Sequence, residues 1–340
     1  MLHDILILLL GLVLLVVGAN YVTDGAVAIA RRFKVSNLII GLTVVALGST
    51  LPDLVVCLES AFQDKPAIAI GEVLGSNTFD LLLVVGIMGI VRPLKVSDTM
   101  RYQDLPILLI ASAALWVAGD SVLFDGATHN IVNRSSGVML IIIFIFYLWF
   151  MILTSGKEKV TASLQQSPHT EVITGATSSP AVQKMAGLKK QPWYSWVMVA
   201  AGLVALVIGG NWVVDGAGGF ALKVGMSQGM VALTIVAIGN ALPDLVTSLT
   251  AALKGASGIA LGNIVGSCII NALLSVGLSA LVIPLKADTI GFVDFFTLAG
   301  ASALIWLVPL ISKNRSIGRV AGCTLVLLYI AYMTYTVIRG

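Results

Sequence analysis

Charge is what this chain has least of. Only 11% of its 340 residues are Asp, Glu, Lys or Arg, against 58% hydrophobic ones, where a soluble domain carries roughly 25% charged residues. That excludes a water-soluble domain and leaves a polytopic membrane protein. Cysteine is nearly missing as well. Cys57, Cys268 and Cys323 lie within apolar segments without metal-ligand spacing, so they are expected to be small buried hydrophobes rather than a disulfide framework. The three histidines, His3, His129 and His169, sit at an end or in loops, which leaves no imidazole for zinc or haem in the membrane. No cofactor is expected. The net charge of +3 says little for a surface that mostly faces lipid. Residues 5–18 have the length of a signal sequence, but no basic stretch precedes them and they have an internal copy at 196–209. They are expected to be a mature transmembrane helix.

What the chain does have is apolar runs, and windows of about 20 such residues predict ten spans. These are 2–23, 37–61, 66–90, 104–120, 136–154, 194–214, 228–252, 257–282, 292–311 and 320–338. The stretch GLTVVALGSTLPDLVV from Gly41 is echoed by ALTIVAIGNALPDLVT from Ala232, and AIGEVLGSNTFD by ALGNIVGSCIIN from Ala260. Asp24 and Asp215, Asp53 and Asp244, Gly75 and Gly266, and Pro93 and Pro284 all share one gapless offset of 191 residues. Five spans per copy force the second copy to enter the membrane upside down. The expected fold is therefore all-α: ten transmembrane helices in two inverted five-helix repeats, 1–154 and 192–340, with the ion site at their interface. The motif-bearing parts are 41–86 and 232–277.

Residues 155–191 between the repeats are rich in Ser, Thr, Gln, Gly and Pro and are expected to be a flexible cytoplasmic linker. Lys184, Lys189 and Lys190 offer it a contact to anionic lipid. With both termini outside, the inside loops hold fifteen of the twenty Lys and Arg residues, as the positive-inside rule prefers.

Carboxylates at membrane depth are costly and mark function. Asp53 and Asp244 each follow a proline, Pro52 and Pro243. A proline has no N–H and clashes with the carbonyl four residues back, so both helices are expected to break and to free the carbonyls of Gly48 and Gly239 for a dehydrated cation. Hard cations such as Na⁺ and Ca²⁺ take carboxylate, carbonyl and hydroxyl oxygens, and Ser49, Thr50 and Asn240 supply candidates from the same turns. In the next span Glu72, Ser76 and Asp80 recur every four residues, on one helix face; their copies are Asn263, Ser267 and Asn271. Gly71, Gly75, Gly262 and Gly266 allow close helix approach. Asp24 and Asp215 are expected to cap helices or contact loops, and Glu59 to be a solvated rim residue.

At GSTLPD, GNALPD, GSNTFD and GSCIIN the sequence resembles the cation/Ca²⁺ exchanger superfamily, and most of all the prokaryotic Na⁺/Ca²⁺ exchangers. The resemblance covers nearly the whole chain and implies a secondary active antiporter of a prokaryotic inner membrane, exporting Ca²⁺ against Na⁺ by alternating access. It puts the family's central acids on Asp53 and Asp244 and its acid or amide positions on Asp80 and Asn271. The sodium ligands it implies are the Ala46 carbonyl, Ser49, Thr50 and Ser76 in one half. In the other they are the Ala237 carbonyl, Asn240 and Ser267. Three departures stand out: both central acids are Asp where one is usually Glu, Ala241 lacks a hydroxyl, and Glu72 replaces a usual Asn. Three carboxylates carry −3, which three Na⁺ neutralise and one Ca²⁺ does not. Glu72 either joins the site, adding a charge that H⁺ or K⁺ would balance, or points to water or caps a neighbour. Ca²⁺/H⁺ exchange, K⁺-dependent exchange, a cation channel and, more remotely, an intramembrane hydrolase are the rivals. The partners expected are inorganic cations and the lipid bilayer, not nucleic acid.

Overall fold

A computed structural model describes residues 2–32, 48, 50–126, 128–162, 192–253, 255–286, 289–312 and 314–339. Fourteen helices appear among these residues, interrupted by four π-helical segments. Helix α1 is Leu2–Arg32, α2 Leu51–Phe62 and α3 Pro66–Thr78; a π-helical segment, Phe79–Val84, then leads into α4, Val85–Val91. A second π segment, Met100–Asp104, opens α5, Leu105–Gly119; α6 is Ser121–Asp125 and α7 Arg134–Ala162. The other half begins with α8, Pro192–Val224, and α9, Gln228–Val231, which continues through the π segment Ala232–Val236 into α10, Ala237–Leu253. Helix α11, Ser257–Ile270, passes through the π segment Asn271–Ser275 into α12, Val276–Val282, and α13, Phe292–Ile311, and α14, Arg319–Arg339, follow.

Among the described residues nine helical stretches are long and apolar enough to cross a membrane. The remaining expected span, 37–61, falls partly outside those residues, which hold only its end, α2. Much of the expected linker, 163–191, also lies outside them.

The turns explain where the helices start. Pro66 stands in the first turn of α3, where a missing N–H costs nothing, and the Met230 N–H of α9 donates to Ser227 Oγ at 3.2 Å. The turns before α3 and α11 each contain one left-handed residue, Asp64 with φ 56° and Gly255 with φ 85°, positions related by the sequence offset.

Two short antiparallel ribbons tie the halves together reciprocally. Leu94–Lys95 (β1) pairs with Ser316–Ile317 (β4), and Ile131–Val132 (β2) pairs with Leu285–Lys286 (β3). Each half thus lends a strand to the other at both ends of the molecule.

Burial divides the spans by role. Pro66–Val91 is 83% buried and Ser257–Val282 78%, whereas the stretches in α1, α5, α7, α8, α13 and α14 are 22–44% buried. The helices that carry the acidic motifs are therefore shielded from lipid by the others. Apolar packing forms two clusters: a large one around α3–α5 and α10–α14, and a smaller one where α1 and α8 meet, joined by Val56, Ile68, Val231 and Val236.

The seam between α1 and α8 is built on glycine. Gly11, Gly18 and Gly25 recur every seventh residue, as do their counterparts Gly202, Gly209 and Gly216, and the two rows face each other antiparallel. A Cβ at Gly18 would lie 2.9 Å from the Gly202 carbonyl oxygen, and one at Gly202 would lie 2.7 Å from that of Gly18. The backbones approach as closely as helices without side chains allow. Gly18→Leu is expected to destabilise the protein by about 2 kcal/mol through overpacking, seen as a lower melting temperature in detergent; an unchanged melting curve would contradict the close seam.

Candidate functional site

The site lies where α2, α3 and its π segment meet α10, α11 and theirs. Asn77 Nδ2 donates to the Cys268 carbonyl at 3.0 Å, and Cys268 Sγ lies 4.0 Å from the Asn77 carbonyl. These two residues are separated by the repeat offset of 191, and a residue that touches its own counterpart sits on the axis relating the two copies. The acids are arranged around that axis.

Asn271 donates its amide N–H to Asp53 Oδ2 and lies 3.5 Å from Asn77 Oδ1. By the sequence offset the counterpart of that pair is Asp80 with Asp244. Where one pair has an amide and a carboxylate the other has two carboxyls, and among the described residues Asp80 Oδ1 is buried without a hydrogen-bond partner. Asp244 Oδ1 accepts from Asn263 Nδ2 at 3.1 Å, and the same amide reaches Ser248 Oγ at 3.2 Å. In the other half Glu72 occupies the Asn263 position and Cys57 the Ser248 position. Glu72 Oε1 accepts from Asn240 Nδ2 at 3.1 Å, and Cys57 Sγ stands 3.5 Å from Glu72 Oε2.

Of the expected site residues, Thr50, Asp53, Glu72, Ser76, Asp80, Ala237, Asn240, Asp244, Ser267 and Asn271 are all buried in this region. Ala46 and Ser49 lie outside the described residues. Ser76 and Ser267 donate to carbonyls of their own helices, Val73 at 3.4 Å and Ile264 at 3.0 Å, which leaves their oxygen lone pairs available. Besides Asp80 Oδ1, the amide oxygens of Asn240 and Asn271 are buried without a partner among the described residues. Buried acceptors without donors are costly, and an array of them beside carboxylates suits a hard cation. Among the described residues no three His, Cys, Asp or Glu side chains form a ready-made metal cluster; a cation held here would need amide, hydroxyl and carbonyl oxygens as well.

Several expectations need correction. Helix α2 does begin at Leu51 with Pro52 in its first turn and Thr50 just outside, but α10 runs unbroken through Pro243. The irregularity sits two to three turns upstream, in Ala232–Val236, where α3 packs so closely that a Cβ at Gly75 would clash with the Leu233 carbonyl. The one N–H missing at Pro243 does not end the helix. The even spacing of Glu72, Ser76 and Asp80 is also altered, because π-helical segments begin at Phe79 and Asn271 and shift the face that follows. Such segments recur at functional sites, yet no residue type announces them. Cys323 is exposed on α14, not buried, and Cys57 touches an acid as well as apolar neighbours. Asp215 lies mid-helix and pairs with Lys65 at 3.0 Å, a loop contact rather than a cap. Glu59 is half-buried beside Gln63. Asn77, Cys57 and Ser248 were missed; the offset aligning Cys57 with Ser248 was the signal available.

A multi-pass helical membrane protein whose two similar halves enclose buried acids and free oxygens around an axis belongs to the class of cation exchangers. The sodium/calcium exchanger protein family model matches residues 3–153 and 194–338, and the chain belongs to that family. It is 32% identical over 336 residues to the putative antiporter CaxA of Alkalimonas amylolytica, covering 98% of each chain. To the sodium/calcium exchanger MaX1 of Methanosarcina acetivorans it is 30% identical, covering 97% of each. Among solved structures it resembles the sodium-calcium exchanger NCX_Mj, with a TM-score of 0.59 and 28% identity over 97% of this chain and 98% of that one.

The axis contact is testable by itself. Asn77→Ala removes one buried hydrogen bond and is expected to cost about 1 kcal/mol, read as a small drop in melting temperature; a gain in stability would contradict the bond.

Proposed function

We propose that this protein is a secondary active antiporter that exports Ca²⁺ in exchange for Na⁺ by alternating access. The observation that carries the reading is the set of four buried acids, Asp53, Glu72, Asp80 and Asp244, contributed by both halves beside unpartnered oxygens of Asp80, Asn240 and Asn271. Like charges at this proximity need a cation or a proton between them, and a site built from both halves can be opened by shifting one group of helices against another. The separate apolar cluster of α1 and α8 supports such a division. The ligands would be Asp53, Asp80, Asp244, Asn271, Thr50, Ser76, Asn240, Ser267 and the Ala237 carbonyl, with Ser49 and the Ala46 carbonyl from outside the described residues.

We propose the two halves as inverted repeats, 1–154 and 192–340, joined by a cytoplasmic linker over 155–191, with both termini outside a prokaryotic inner membrane. The grouping of the loops supports that sidedness. Asp64, Lys65, Ser227, Gln228, Lys286 and Thr289 line one recess at the start of α3. At the far end of α4, Arg92 donates to the Leu253 carbonyl at 2.8 Å, and Arg315 pairs with Asp98 at 3.0 Å. The loops read as outside share one end, and those read as inside the other.

The test is radioactive Ca²⁺ uptake into Na⁺-loaded proteoliposomes, with external Na⁺, K⁺ and pH varied separately. Uptake should follow the Na⁺ gradient and vanish when it is collapsed. Asp53→Asn or Asp244→Asn should cut Ca²⁺ flux by about a hundredfold or more while the protein stays folded, since losing one partner of a buried charged site costs about 3 kcal/mol or more. Near-normal flux in either would sink the assignment. Ala241 is buried where the other half has the Thr50 hydroxyl; Ala241→Ser should strengthen Na⁺ dependence by adding a hydroxyl oxygen, and an unchanged Na⁺ activation curve would mean that the position does not face the ion.

A further inference from the structure

We infer that Glu72 is a positioning residue: its carboxylate holds the Asn240 amide N–H and so turns the amide oxygen, buried and unpartnered, toward the transported cation. This rests on the exchanger reading of the site. Glu72 is fully buried in the first turns of α3, and both of its oxygens are engaged, Oε1 by Asn240 Nδ2 at 3.1 Å and Oε2 by Cys57 Sγ at 3.5 Å. A side-chain amide has a donor end and an acceptor end. Turned the other way, the Asn240 oxygen would meet the Glu72 carboxyl oxygen that its nitrogen now bonds at 3.1 Å. Glu72 thus determines the direction of the amide, and among the described residues Asn240 Oδ1 is left with no hydrogen-bond partner, which is the condition a cation ligand needs.

The same logic recurs in a second pair between the same two halves. Asn271, like Asn240 from the second half, gives its N–H to an acid of the first, Asp53, and among the described residues its own Oδ1 is buried and unpartnered. At the position equivalent to Glu72, Asn263 donates to Asp244 instead. The departure at Glu72 therefore has a local cause. An amide there can present either its donor or its acceptor end to Asn240, whereas a carboxylate only accepts. A residue acting in this way contributes through Asn240, which separates it from the ligands proper.

The experiment measures apparent affinity for Na⁺ and Ca²⁺ in proteoliposomes reconstituted with the full chain, alongside the rise in melting temperature that each ion produces in detergent. Glu72→Ala removes the acceptor and is expected to weaken Na⁺ activation about tenfold. Glu72→Gln keeps an oxygen for Asn240, and should recover at least half of that loss on a logarithmic scale. In an Asn240→Ala background, adding Glu72→Ala should change the affinity little further, the non-additivity expected of two residues acting through one contact. If Glu72→Gln is as impaired as Glu72→Ala, or if the double variant shows additive losses, Glu72 acts through its charge and the inference is overturned. An unchanged affinity in Glu72→Ala overturns it as well. Should Glu72→Ala not fold, the Glu72→Gln and Asn240→Ala pair with their double variant decides by the same additivity. Failure of the exchanger reading looks different: the wild-type chain would then show no Na⁺-driven Ca²⁺ flux at all, while the ion-induced melting shifts would still report on the link between Glu72 and Asn240.

Discussion

A carboxylate in the hydrocarbon region must be kept from lipid and given partners, and most of this structure can be read as the consequence of having four. The helices that carry them are the most buried, and the amphipathic work of facing lipid is left to α1, α5, α7, α8, α13 and α14. Asp53, Glu72 and Asp244 each accept from an amide, and Glu72 also meets a thiol. Among the described residues Asp80 Oδ1 is buried with no hydrogen-bond partner, and a buried acceptor left in that state is costly. That imbalance is what the proposed cation would relieve.

The two halves are alike in backbone but not in chemistry. Asn77 and Cys268 meet on the axis, the ribbons pair reciprocally, and the π-helical segments begin next to equivalent residues, Asp80 and Asn271. Around this frame the side chains at equivalent positions differ: Asp80 corresponds to Asn271, Glu72 to Asn263, and Thr50 to Ala241. A strictly symmetric site would bind the same ion in the same way from either side. The substitutions give the two halves unequal donor sets, as expected of a site that must hold ions of different charge.

Much of this was legible in the sequence because the offset of 191 residues aligns everything at once. Asp53 and Asp244 could be found from apolar context, proline and repetition together, and the helical membrane fold from the apolar runs. The direction of Glu72 was not legible, because a helix face predicts which residues are neighbours and not whether they face a cavity or water. Nor were the π-helical segments, which have no residue signature; one of them, Ala232–Val236, lies against Gly75 of α3. Pro243 shows the reverse error. Its chemistry predicts a break, but α10 runs unbroken from Ala237 to Leu253, so the loss of one N–H is tolerated there. The glycines of α1 and α8 stand in the sequence at intervals of seven, but their meaning depends on the antiparallel register, which only the fold supplies.

The central claim is that one cation sits between the halves, held by acids from both. It is tested most directly by anomalous diffraction from crystals soaked in Sr²⁺ as a stand-in for Ca²⁺. The account predicts a peak bounded by Asp53, Asp80 and Asp244 that fades as Na⁺ is raised. A peak confined to one half, or none among these residues at saturating Sr²⁺, would contradict it.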